Sequence, residues 1–278
     1  MKAVVVIPVR NEAASIGLVI DEIPRELVSE IVVVDNGSTD ETGLVAALHG
    51  ARVVREEKKG YEAACLKGLA SLSPGGGAIT SSSGDRETVP PPGYGLGASS
   101  SGPPGVAPPP AAAEIVVILD GDHSDYPGDL PLVVGPILEG RADLVIGSRV
   151  SGKAEKGALQ WNQRFGNALA CSLIHRLYGF RFTDMGPFRA IRRTDLEALG
   201  MRDRDFGWNA EMQVKAIARG LRIVEVPVRY RPRIGRSKIS GTVRGTIMAG
   251  SKIIWTILRY YPGCVKSRSK KYARDEKS

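Results

Sequence analysis

Glu114-Ile-Val-Val-Ile-Leu-Asp-Gly-Asp122 runs five consecutive apolar residues, four of them β-branched, into two carboxylates separated by one glycine. A short continuous apolar run predicts a strand buried on both faces, as in a parallel sheet covered by helices. Open α/β sheets bind ligands beyond the carboxyl ends of their strands, which puts Asp120 and Asp122 at the mouth of such a site. Gly121 between them lets the backbone turn tightly and a ligand come close. Two hard oxygen donors at a strand end suit Mg²⁺ or Mn²⁺ gripping a pyrophosphate. An isolated Asp-x-Asp is equally a solvated acidic turn. The surrounding chain has to decide.

Upstream, the same pattern repeats. Ala3–Pro8 is an apolar run ended by proline, followed by Arg10-Asn-Glu12 and a helical face of Ile16, Val19, Ile20 and Ile23 closed by Pro24. Glu30–Asp35 predicts a second buried strand, with Asn36-Gly for a turn and Ser38 or Thr39 to cap a helix reaching about Gly50. Ala51–Arg55 is a short third strand, and Lys58-Lys-Gly-Tyr61 leads into a helix over Glu62–Ser71. Strand–helix alternation repeated three times implies a parallel sheet with right-handed crossovers.

Between Ser73 and Ala113 the composition changes. These 41 residues hold nine of the 18 prolines and nine of the 33 glycines, with little to bury. The expectation is a disordered insertion interrupting one domain. Downstream, helices are expected at about Gly128–Gly140, 158–178, Asp195–Gly200 and Trp208–Gly220. Strands are expected at Ala142–Arg149, ending in a Gly-Ser-Arg turn, and at Leu221–Val226. Phe182–Ala190 reads as turn, and Val228–Arg233 with Gly235-Arg-Ser-Lys238 as a basic loop. Thr242–Tyr261 is expected as an amphipathic helix ahead of a basic tail. The domain organisation is therefore 1–240, interrupted at 73–113, followed by helix and tail over 241–278.

The chain of 278 residues carries a net charge of +8, divided unevenly. Residues 1–150 hold 11 Lys/Arg against 20 Asp/Glu, and residues 151–278 hold 27 against 10, giving −9 and +17. An acidic half beside a basic half suggests a cation site in the first and an anionic partner for the second. Three scattered cysteines argue against a disulfide framework or zinc site. There is no signal-peptide pattern and no run of about 18 apolar residues, so the expected location is cytoplasmic.

Arg10-Asn-Glu12, Asp35 and Asp120-Gly-Asp122 all end strands, so in a parallel sheet they share one edge. Asp35 can accept from a base N–H or ribose hydroxyls. Lys58, Lys59 and the helix start at Gly60 add positive potential for an anion.

Val6-Ile-Pro-Val-Arg-Asn-Glu12, Val33-Val-Asp-Asn-Gly-Ser-Thr-Asp40, Gly60-Tyr61 and Leu119-Asp-Gly-Asp122 resemble family 2 glycosyltransferases of the GT-A fold. Gly186-Pro-Phe-Arg-Ala190, Trp208-Asn-Ala-Glu-Met212 and Val224–Val228 through Gly235-Arg-Ser-Lys238 resemble the polyprenyl-phosphate branch, the dolichol-phosphate mannosyltransferase-like enzymes. The resemblance covers nearly everything except Ser73–Ala113. It implies an α/β, Rossmann-like, mostly parallel sheet with helices on both faces, and inverting transfer of a hexose from a UDP- or GDP-sugar. Carried over, Pro8, Arg10, Glu12, Asp35 and Lys59 serve the donor nucleotide, and Asp120 and Asp122 the metal. Many members carry glutamine where this chain has Ser124, so a third side-chain ligand does not carry over. Arg149, Arg189, Glu211, Arg236, Ser237 and Lys238 are candidates for acceptor or donor phosphates, Glu211 by orienting substrate or a loop arginine, or else serving as a structural salt bridge.

The implied chemistry is electrostatic: a cation held by Asp122 stabilises the departing diphosphate. A polyprenyl phosphate acceptor is already ionised. A soluble hydroxyl acceptor would need a base, for which Asp184 is the candidate, with Asp125 behind it. The Thr242–Tyr261 helix could lie on a bilayer surface or pack on the domain. A sugar-nucleotide pyrophosphorylase would want a glycine-rich loop after the first strand, which Val9-Arg-Asn-Glu12 does not supply. A basic surface-binding module would leave the three aspartates unexplained, and no base-reading motif points to nucleic acid.

Overall fold

The computed structural model describes residues 2–72, 115–203, 207–235 and 247–261. The expected insertion, the tail, and Arg236, Ser237 and Lys238 lie outside the described residues. Seven strands form one sheet in the order β3-β2-β1-β4-β6-β5-β7. They are β1 (Ala3–Val9), β2 (Val28–Asp35), β3 (Arg52–Arg55), β4 (Ile115–Ile118), β5 (Leu144–Ala154), β6 (Arg189–Arg192) and β7 (Ile223–Tyr230). β1 pairs in parallel with both β2 and β4, and β2 with β3.

Every residue of β1 and of β4 is buried, because helices cover both faces. Val4, Val6, Val32, Val34, Val116 and Ile118 face one core, shared with α3 (Tyr61–Ala70), α5 (Trp161–Tyr178), α6 (Arg193–Leu199) and α7 (Trp208–Arg219). Val5, Ile7, Val33 and Val117 face the other, with α1 (Ile16–Asp21), α2 (Thr42–Leu48) and α4 (Leu130–Leu138). Period-two alternation along each strand thus feeds two cores rather than a core and a solvent face.

Three expectations change. The turn-like Phe182–Ala190 segment leads into β6, which runs antiparallel between β4 and β5 and joins the two parallel parts of the sheet. β5 continues past Arg149 instead of turning there, pairing with β7 again at Lys153 and Ala154 after a register shift. The first three residues of the expected basic loop, Val228–Tyr230, belong to β7, which carries Pro227. β7 is an edge strand, where a missing N–H is tolerated.

Residues 247–261 are helical, while the earlier part of the expected Thr242–Tyr261 helix lies outside the described residues. This helix (α8) packs on the domain: Tyr178 donates from its hydroxyl to the Ile257 carbonyl at 2.6 Å, and Thr256 and Ile257 are buried. Among the described residues no helix is long and apolar enough to cross a membrane.

α3 approaches the sheet through Gly68, where an added Cβ would lie 2.6 Å from Val6 Cγ1 and 2.9 Å from Val34 Cγ2. Gly68→Ala is therefore expected to destabilise, since overpacking at about 1–3 kcal/mol outweighs the gain in helix propensity. Gly166→Ala on α5, with open space around it, is expected to stabilise by about 0.5–1 kcal/mol. Urea unfolding of the two variants checks this, and equal shifts would refute the close packing.

Candidate active site

Register places the site. Val9 pairs with Asp35, and Val6 with Ile118, so β1, β2 and β4 deliver their carboxyl ends to one edge. The loops beyond are stitched together. Asn11 N–H donates to Ser38 Oγ at 3.0 Å, and Glu12 N–H to Thr42 Oγ1 at 2.8 Å. Asp35 accepts Ser38 N–H at 2.8 Å, which fixes its carboxylate at the strand end. Buried Asn36, predicted only as a turn residue, accepts from Gly60 N–H at 2.8 Å and donates to the Lys58 carbonyl at 2.6 Å. It thereby holds the loop bearing exposed Lys59 against the same edge. Pro8 is buried in β1, while Arg10 is exposed just past it.

The acidic turn is locked from beneath. Ser15 Oγ donates to the Gly121 carbonyl at 2.8 Å. A Cβ on Gly121 would fall 2.4 Å from Val9 Cγ1, so it is core packing that demands glycine between the aspartates. Asp122 is buried, and its Oδ1 accepts from Ser124 N–H and Oγ at 3.0 and 2.5 Å. Ser124, fully buried, thus orients a carboxylate rather than offering a ligand of its own.

Asp120 and Asp125 each have a buried Oδ1 without a hydrogen-bond partner of normal geometry. Burial, then the Asp122 charge, push the Asp120 carboxyl up to about 6. Burial and Asp120 raise Asp125 well above the usual carboxylate range. Crowded, desolvated acids of this kind are what a dication offsets, so the donor set fits Mg²⁺ or Mn²⁺. Among the described residues no cluster of three His, Cys, Asp or Glu would hold a metal by itself. The fitting mode is two carboxylates plus substrate phosphate and water, as is usual for Mg²⁺.

Of the described acceptor-side candidates, Arg149 and Asp184 meet each other, while Arg189 and Glu211 are held in the interior. Asp184 is fully buried, and its carboxylate accepts from Arg149 Nε at 2.8 Å, its other guanidinium nitrogen at 2.7 Å and its backbone N–H at 2.8 Å. That is a bidentate ion pair, not a base awaiting a proton, and Asp125 is just as inaccessible. Arg189, expected at a phosphate, is fully buried and donates to the carbonyls of Met185, Gly186 and Asn209. Burial lowers its pKa to about 10. Glu211, also expected near the acceptor, lies in the interior and accepts from Arg202 and Asp203 N–H and the Tyr260 hydroxyl. It ties residues 202–203 and α8 to α7, and pairs with Lys215. Arg149 lines a groove of about 380 Å³ between β5 and α5, with Gly152, Gln163, Arg164 and Asn167.

The chain matches the family model described as "Glycosyl transferase family 2" over residues 4–73 and 111–200. It is 35% identical over 249 residues to an uncharacterised glycosyltransferase of Mycobacterium tuberculosis, covering 88% of this chain and 93% of that one. It is 30% identical over 251 residues to a dolichyl-phosphate hexose transferase of Haloferax volcanii, covering 89% and 90%. Among solved structures it is similar to Mycobacterium tuberculosis glucosyl-3-phosphoglycerate synthase in complex with Mn²⁺, UDP and glucosyl-3-phosphoglycerate. That likeness has a TM-score of 0.63 at 22% identity, covering 94% of this chain and 80% of that one. The chain belongs to glycosyltransferase family 2, and its fold is of the GT-A type.

Asp184→Asn removes one half of a buried pair and leaves the Arg149 charge uncompensated, at an expected cost of about 3–5 kcal/mol. Thermal unfolding measures it. Wild-type stability combined with lost turnover would instead restore Asp184 as a base.

Proposed function

We propose that this enzyme moves a hexose, with inversion, from a UDP- or GDP-sugar to a polyprenyl phosphate. One observation carries the reading: Asp35, Asp120 and Asp122 meet at one sheet edge because β2, β1 and β4 are adjacent and parallel. Asp35, with Pro8, Arg10 and Glu12 beside it, receives the nucleoside. Asp120 and Asp122 hold the divalent ion, which when bound offsets the charge that grows on the leaving diphosphate. Lys59 adds positive potential on the same side.

The acceptor argument rests on what the basic and acidic groups are already doing. With Asp184 paired to Arg149 and Asp125 buried, neither candidate base is poised to serve a hydroxyl acceptor. A phosphate monoester is ionised near neutral pH and attacks without one. The β5–α5 groove offers Arg149, Arg164, Gln163 and Asn167 to such a group. Beside it, Trp161, Phe165 and Leu169 on α5 are 82%, 66% and 45% exposed at helical spacing. An exposed aromatic stripe flanked by arginines supports contact with the cytoplasmic face of a membrane, where a lipid phosphate resides.

The test is a donor screen by released nucleoside diphosphate, with Mg²⁺ or Mn²⁺, with and without polyprenyl phosphate in vesicles. Turnover should require the lipid phosphate and fall at least about a hundredfold in Asp122→Ala without loss of fold. Near-wild-type turnover in that variant overturns the site assignment. Turnover with a soluble sugar alcohol and none with the lipid phosphate overturns the acceptor.

A further inference from the structure

Asp122 has a partner that the transfer reaction does not account for. Its Oδ2 lies 2.7 Å from the guanidinium of Arg233, beyond the end of β7. The contact is backed by the main chain on both sides. Ile234 N–H donates to the Asp122 carbonyl at 3.0 Å, and Arg231 N–H to the Ser124 carbonyl at 2.9 Å. Arg231 also bonds the His123 carbonyl at 2.7 Å and Glu22 at 2.7 Å, so the strand end is anchored independently of Arg233. The Asp122 carboxylate is likewise oriented without Arg233, because Ser124 holds Oδ1. Arg233 is thus not needed to shape the turn, and its side chain, 30% exposed, is far more open than the 7% of Asp122. Among the described residues, a single positive group sits on the outer oxygen of a carboxylate proposed to receive a dication. Two cations on one desolvated oxygen repel strongly, whereas either alone satisfies it.

We propose that Arg233 is a positioning residue of the cation site, occupying the outer oxygen of Asp122 until a divalent ion takes that oxygen over. Cation binding and loosening of Arg233 and Ile234 from the acidic turn, just beyond the Arg231 anchor, are then one exchange. The displaced guanidinium stays tethered at the rim, where it can pair with diphosphate oxygens of the donor. The inference rests on reading Asp120 and Asp122 as the cation ligands.

Mn²⁺ binding to the full chain without nucleotide, followed by the paramagnetic resonance of free Mn²⁺, tests it. Arg233→Gln should bind Mn²⁺ about tenfold more tightly than wild type, with Arg233→Lys in between. In the wild-type protein, saturating Mn²⁺ should speed hydrogen exchange at the Ile234 amide. This readout does not depend on any variant folding. Unchanged or weaker Mn²⁺ affinity in a stably folded Arg233→Gln, or unchanged exchange at Ile234, overturns the exchange alone. Binding by neither protein, even with UDP or GDP present, removes the cation site and the exchange with it.

Discussion

Three adjacent parallel strands that finish level with one another are the constraint from which this site follows. Pairing of Val9 with Asp35 and Val6 with Ile118 puts the polar ends of β2, β1 and β4 along one line. Their interiors are apolar on both faces, so each strand is held in register by two cores at once. A one-residue slip would turn every side chain to the opposite core. The acidic groups therefore inherit positions fixed by packing some distance away. Gly121 shows the same coupling at short range, since Val9 leaves no room for a side chain between the two aspartates.

Charge is organised as a second layer on that scaffold. The excess of acid in the first half of the sequence and of base in the second is partly answered within the molecule. Along β7 and just past it, Arg229 pairs with Asp129, Arg231 with Glu22 and Arg233 with Asp122. Tyr126 is flanked by Arg229 and Arg231, whose guanidinium carbons lie 4.5 and 4.2 Å from its ring centre. The edge strand thus clasps the acidic turn from the side, while Ser15 holds it from below. In the β5–α5 groove Arg149 is likewise answered, by Asp184.

The sequence made the continuous apolar strands legible, because burial on both faces leaves a run that needs no partner to be recognised. It also made their acidic ends legible, because Asp35 and Asp120-Gly-Asp122 each follow such a run and so fall on one edge of a parallel sheet. β6 escaped because Gly186-Pro-Phe reads as turn, while its pairing depends on β4 and β5, both distant in the chain. Asp184 and Arg149 were each recognised as special, yet their union across 35 residues has no local signature. It turned a candidate base into half of an ion pair. Arg189 and Glu211 misled for a related reason: charged residues in the interior look functional until their backbone partners are known. Arg233 lay within a visibly basic stretch, but nothing local tied it to Asp122.

The most direct measurement is the anomalous density of Mn²⁺ in crystals grown with a nucleoside diphosphate. The account predicts one ion bonded to the carboxylate of Asp122 and to a diphosphate oxygen, with the base lying over Asp35 between the ends of β1 and β2. An ion and nucleotide bound together elsewhere, with Asp122 still paired to Arg233, would contradict it.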